Sequence, residues 1–238
     1  MTKALGAAEI IRRLKDCEGE KVSRKIEELH ATFFIFSENR KQLLTAISAF
    51  EHPPNMTTIW RVENRPALKS FHEEIARLLH NYLASAATLI DHTRIFARDR
   101  YQGKPFYEEY KKKRDDTFKM SELAGFIKGL RNWMLHKGLV PTVARLSGKG
   151  TTTSSPLSAI VLSHEKLKTW DRWDSRAKVY ITNLSSDPQL RTIVSSYGSL
   201  VESFYDWLEN RIQEIHTSAF REMDELQDQL RTIQNQQS

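Results

Sequence analysis

At 238 residues, with 39% hydrophobic and 28% charged side chains, the chain is long enough to bury one sizeable core, and its polarity suits long helices with wide solvated faces. A net charge of +6 favours polyanionic partners, and the single cysteine, Cys17, excludes an intrachain disulfide and gives no reason to propose a zinc site. No run approaches the roughly 18 apolar residues of a membrane span, and Met1–Lys15 lacks the apolar core of a signal peptide, so a soluble cytoplasmic protein with no membrane partner is the expectation.

In chain order, Ala4–Leu14 reads as a short helix, broken at Cys17–Glu20. Lys21–Phe50 reads as a long helix whose buried side is Ile26, Leu29, Phe33, Phe34, Phe36, Leu43, Leu44, Ile47 and Phe50. The stretch Glu51–Asn55 is a turn, and Thr57–Val62 is a short strand or an irregular link. Pro66 opens a helix that runs to about Arg98, with Phe71, Ile75, Leu78, Leu79, Tyr82, Leu83, Ala86, Leu89, Ile90 and Phe96 on its apolar face. Its other side carries Arg77, Asn81, Ser85, Thr88 and His92 at steps of four and three, a polar stripe that is either a solvated face or, at Asn81, Ser85, Thr88 and His92, a second part of a site. Arg98–Lys104 is a loop, and Phe106–Arg114 is a helix bearing the basic run Lys111, Lys112, Lys113 and Arg114. Asp115–Thr117 is expected to supply the next N-cap.

Ser121–Pro141 reads as one helix with a clean stop. Leu123, Phe126, Ile127, Leu130, Trp133 and Met134 form its core face, Gly138 stands where a left-handed C-cap belongs, and Pro141 keeps the helix from resuming. Gly125, Gly129, Asn132 and His136 form a second stripe. Two helical glycines cost about 1 kcal/mol each against alanine, which is acceptable where another backbone or a ligand comes close. The stripe either faces water or meets the same helix of a second subunit across a twofold axis.

After Pro141, Val143–Leu146 and Ala159–Leu162 read as the strands of a hairpin around the Gly-, Thr- and Ser-rich loop Ser147–Ser158. Ser163 caps a helix expected to reach Leu184. Ser185–Pro188 is a turn. Leu190–Gln234 is expected to be continuously helical, with Gly198 its one weak point. Ile212, Ile215, Ala219, Met223, Leu226, Leu230 and Ile233 step by threes and fours, a heptad seam able to hold a second chain.

Arg131, Asn132 and His136 spell R-N-x-x-x-H. Histidine transfers protons near neutral pH, and an arginine fork matches two phosphate oxygens. Asn132 can hold a phosphate or a histidine tautomer by hydrogen bonds. Arg24, Arg65 and Arg211 also precede a histidine at comparable spacing, but they are followed by Lys25, Pro66 and Ile212 rather than by a small polar residue. Here the chain resembles the HEPN superfamily, all-helical domains in which an arginine, often followed by a polar residue, and then a histidine mark an RNA-cleaving site. The resemblance covers the motif helix and, more weakly, the long helix before it. It implies an all-α HEPN-like bundle that dimerises and cleaves RNA without a metal or other cofactor, with Arg131, Asn132 and His136 catalytic. It further implies a role in phage defence or in a toxin–antitoxin pair, with an antitoxin protein as a partner. Lys128, Lys137 and the Lys111–Arg114 run are the expected RNA contacts, and Asn81, Ser85, Thr88 and His92 the secondary candidates.

The domain reading is a single HEPN-like domain over 1–238, with a β-hairpin insertion at 139–163 and a C-terminal helical extension at 164–238. Two other functions fit the same residues: an RNA- or nucleotide-binding module that does not cut, and a helical interaction protein dimerised by its C-terminal heptads.

Overall fold

The computed structural model describes residues 6–52, 55, 58–147 and 157–236. These form nine helices and one two-stranded antiparallel sheet: α1 (Ala7–Asp16), α2 (Glu18–Glu51), α3 (Arg65–Tyr101), α4 (Pro105–Arg114), α5 (Glu122–His136), β1 (Thr142–Ser147), β2 (Leu157–Leu162), α6 (His164–Lys168), α7 (Ser175–Thr182), α8 (Leu190–Ile215) and α9 (Thr217–Gln236). The all-α class with a small hairpin, expected from the 3.6-residue periodicities, is what the chain adopts. Most of the loop expected between the strands lies outside the described residues, as do 53, 54, 56 and 57 of the segment after α2. The strand considered for Thr57–Val62 does not form among the described residues there; a 3-10 turn at Val62–Asn64 leads into α3 instead.

The chain divides into two compact units, one of Met1–Ala31 with Tyr205–Ser238 and the other of Thr32–Phe204. In the first, α1 packs on α9. Ile10, Cys17 and Leu226 are buried at the centre of that contact, with Leu14, Met223, Leu230 and Ile233 around them. Most of the heptad seam is therefore covered by the chain's own first helix. The long C-terminal helix is interrupted at His216. Backbone bonds still cross the break, from His216 N to Ile212 O at 3.1 Å and from Phe220 N to His216 O at 2.9 Å. The Thr217 hydroxyl donates to the Gln213 and Glu214 carbonyls at 2.9 and 3.0 Å, competing locally for backbone acceptors at the break.

In the second unit the part of α2 after Thr32, α3 and the start of α8 share one core. Phe36 meets Tyr82 and Tyr197, with centroids 5.5 and 6.4 Å apart, and Phe50 stacks on Phe71 at 4.8 Å. Arg191 donates to Glu51 at 2.6 Å and to Ser48 at 2.9 Å, tying the start of α8 to the end of α2. The side chain of Arg40 forms an ion pair with Glu202, and its guanidinium lies against Gly198. That contact accounts for a glycine inside α8. Phe34 and Ile90, expected in the core, are 64% and 43% exposed. Phe33, Phe34 and Phe36 cannot all share one helical face, and Phe36 takes the inward position.

The hairpin pairs Val143 with Val161 and Ala144 with Ile160. It is anchored to α3 by His72, whose Nε2 lies 2.9 Å from the Thr142 carbonyl and 2.8 Å from its hydroxyl. The indole N–H of Trp60 donates to Ser158 Oγ at 2.7 Å.

The helix expected from Ser163 to Leu184 is two helices. Trp170 and Trp173, in the segment between them, are buried, and the Asp174 carboxylate accepts from Ala177 N at 3.0 Å, capping a new start at α7.

Candidate functional site

The motif helix α5 begins at Ser121, whose Oγ accepts from Ala124 N at 3.1 Å. The N-cap expected at Asp115–Thr117 is displaced because Asp115–Lys119 forms a π-helical turn continuous with α4. At the far end Trp133 O receives both Lys137 N at 2.8 Å and Gly138 N at 3.2 Å. Gly138 has φ +134°, a conformation that side chains resist, so the stop read from the sequence is a glycine requirement.

One side of α5 is held by aromatic rings. Phe126 stacks on Tyr180 and Trp173 at 4.6 and 5.6 Å, and Trp133 meets Trp170 and Trp173 at 5.4 and 5.8 Å. The Trp133 indole N–H also donates to Leu139 O at 3.1 Å.

The glycine stripe has a neighbour, but neither of the expected ones. A β-carbon on Gly129 would stand 2.5 Å from the ring of Trp173, and one on Gly125 would stand 2.8 Å from Arg176 Cβ and 3.3 Å from Ala177 N. The smooth face of α5 is thus filled by the loop before α7 and by α7 itself, so it does not lie open to a second copy. Arg176 reaches on from there, donating to the Phe118 and Lys119 carbonyls at 3.0 and 2.9 Å and to Asp174 at 2.9 Å. Burial acts to raise the Asp174 pKa, but the Ala177 N–H and the Arg176 guanidinium outweigh it and hold that carboxyl below its ordinary value.

Beyond the glycines, Arg131 and Asn132 are half-buried and His136 is exposed. None of the three has a side-chain hydrogen bond or ion pair with the described residues. They occupy the last turns of a helix whose other sides are fixed. Arg131 and His136 are five residues apart, about 140° around the axis, with Asn132 between them and one turn before His136. Such a ledge offers one permanent cation, one amide and one imidazole to a ligand arriving from solvent.

The expected RNA contacts divide. Lys128 is exposed near Asp174. Lys137 sits 4.1 Å over the Trp133 ring and donates to Thr169 Oγ1 at 2.7 Å, so its ammonium is held against the buried side of α5. In the run on α4, Lys111 pairs with Glu108 at 2.7 Å and Arg114 with Asp115 at 2.8 Å, Lys112 is exposed, and Lys113 is half-buried.

The α3 stripe does not behave as one face. Asn81 is half-buried, and Ser85 is buried with its hydroxyl on Tyr82 O at 2.9 Å. Thr88 is exposed and bonds Ala84 O at 3.1 Å, while His92 Nδ1 lies 3.0 Å from Thr32 Oγ1 on α2. Among the described residues no group of three His, Cys, Asp or Glu side chains is placed to hold a metal, and no helix is long and apolar enough to cross a membrane. Sequence reasoning misses Asp174 and Arg176, which seat α5; their only local signal is the acidic cap three residues before Ala177. No protein-family model, curated protein or solved structure matches this chain.

Proposed function

We propose that the chain is a HEPN-like, metal-independent endoribonuclease in which Arg131, Asn132 and His136 carry the chemistry. The observation that supports the reading is the ledge itself: three side chains of the types RNA cleavage needs, free of intrachain partners among the described residues, on the exposed end of a helix locked by Trp133, Trp173 and Gly138. In this reaction the ribose 2′-oxygen attacks phosphorus and the bond to the 5′-oxygen breaks. The 2′-hydroxyl loses a proton and the leaving oxygen gains one. His136 serves one of these transfers, Arg131 offsets the charge that builds on the phosphate, and Asn132 orients the phosphate. Leu135 and Leu139 flank His136 and are 59% and 70% exposed, which supports a homodimer in which two copies of His136 divide the two proton transfers. An antitoxin or other protein partner would cover the same ledge, consistent with a role in phage defence or a toxin–antitoxin pair.

Incubation of the purified chain with RNA in excess chelator tests the reading. Cleavage should persist and leave 2′,3′-cyclic phosphate ends. Products with 5′-phosphates, or loss of activity with the chelator, would sink it.

One observation favours a second reading, a module that binds RNA without cutting it. No described group holds a tautomer of His136, whereas a general base is ordinarily oriented by a third residue. Binding without any product in the same assay would select this alternative.

A further inference from the structure

Lysines and arginines on the long helices are mostly matched with acids. Lys41 lies near Glu38, Lys69 near Glu73, Arg77 near Glu74 and Arg94 near Asp91, each at a helical spacing of three or four residues. The segment that wraps α5 departs from this pattern. Lys166, Lys168, Arg172 and Lys178 are all exposed, and none has a carboxylate within salt-bridge distance among the described residues. Arg131 and Lys137, on and just beyond α5, likewise have no carboxylate within that distance among them, and Lys128 lies near Asp174 without forming a salt bridge.

These cations are brought together by packing. Thr169 touches Lys137, Trp170 meets Trp133, Trp173 lies on Gly129, and Asp174–Ala177 lies on Gly125. The segment therefore runs antiparallel alongside α5, from its C-terminal end back toward its start. Lys168 and Arg172 flank the buried Trp170, and Lys166 and Lys178 extend the charge to either side. Acids are present here too, but Asp174 is engaged by Ala177 N and Arg176, leaving Glu165 and Asp171 as the exposed ones. Unmatched cations on a rigid backbone gain most from a partner that brings regularly spaced negative charge and releases counterions on binding, as a nucleic-acid backbone does.

We propose that Lys166, Lys168, Arg172 and Lys178, continuous with Lys128 and Lys137, form a binding track for the RNA phosphate backbone that leads to the ledge of Arg131, Asn132 and His136. The inference rests on the RNA reading of that ledge and adds a substrate class: a strand long enough to occupy both the track and the ledge, rather than a free nucleotide.

The test uses the full chain and a variant carrying Lys166→Gln, Lys168→Gln, Arg172→Gln and Lys178→Gln, with circular dichroism and melting temperature to establish that both are folded. Affinity for a fluorescent single-stranded RNA of about 20 nucleotides is measured from low to moderate salt. Each lost phosphate contact flattens the dependence of log K on log salt by about 0.7, so four should flatten it by up to about 3. Weakened binding with that flatter slope is the expected result. A folded variant with wild-type affinity and slope would overturn the track while leaving the cleavage reading intact. A wild-type chain that binds with the steep slope, loses it in the variant and never cuts would keep the track and remove the cleavage. Loss of binding to anionic lipid vesicles with RNA binding untouched would assign the surface to a membrane and overturn the proposal.

Discussion

The ring of Trp173 occupies the space that a side chain at Gly129 would need: a β-carbon there would lie 2.5 Å from Cε3 and Cζ3. The ring cannot easily yield, since it is wedged among Phe126, Trp133 and Trp170. Gly129→Ala should therefore destabilise the fold by about 1–3 kcal/mol through overpacking. A solvent-facing helical glycine would instead gain up to about 1 kcal/mol from the same change. Urea unfolding of the variant decides between them, and a stabilised protein would mean that α7 does not cover this face.

On the proposed reading Arg131→Ala and His136→Ala should abolish RNA cleavage while shifting stability by no more than about 0.5 kcal/mol, because neither side chain has a hydrogen bond or ion pair among the described residues. Trp133→Ala is the contrasting change. That ring is 4% exposed and contacts two other tryptophans, so its loss should cost about 3–5 kcal/mol. A folded His136→Ala protein that cuts at the wild-type rate would remove His136 from the chemistry.

Gly198→Ala should also destabilise, because its new methyl group would meet the Arg40 guanidinium where that group pairs with Glu202. The Arg40 side chain is only 17% exposed and has little room to move. The double change Gly198→Ala with Arg40→Ala should be less damaging than the sum of the two single changes, since the clash is absent once the long side chain is gone. Strict additivity in thermal unfolding would show that the glycine serves some other purpose.

Burial pushes the Tyr110 hydroxyl up to about 12 from an ordinary 10, and raises Tyr82 and Tyr197 as well. In each case the folded state holds its proton more tightly than the unfolded chain. The contribution to stability is complete below pH 10 and is lost as pH rises from there through the folded value. Unfolding midpoints should therefore be flat approaching that pH and fall steeply above it, and Tyr110→Phe should soften the fall. An alkaline limb identical to wild type would show that Tyr110 ionises without unfolding the protein.

Much of this architecture was legible because a helix advertises its buried face. The core of α5, the stop at Gly138 and the two strands follow from spacing and from residues with few conformational options. The illegible part depended on partners distant in sequence. Gly125 and Gly129 announced that something approaches closely, yet only the folded chain shows that it is Trp173 and α7 rather than a second copy. The break before α7 was hidden because Trp170 and Trp173, three residues apart, satisfy helical periodicity even though they lie in a connecting segment. In the candidate site, Arg131, Asn132 and His136 stand out from local order alone. The partial neutralisation of the Lys111–Arg114 run by Glu108 and Asp115, and the unmatched cations of 166–178, needed side-chain positions to be seen.

The pairing of α1 with α9 has a consequence for how the protein is made. During synthesis the whole of Thr32–Phe204 is translated before α9, the partner of α1. The unit built on Ile10, Cys17 and Leu226 thus closes late, across a long intervening chain, while the unit carrying Arg131 and His136 has all its core residues available earlier. Until α9 arrives, the apolar side of α1 is exposed to the cell, and that interval is when a nascent-chain chaperone would have most to hold.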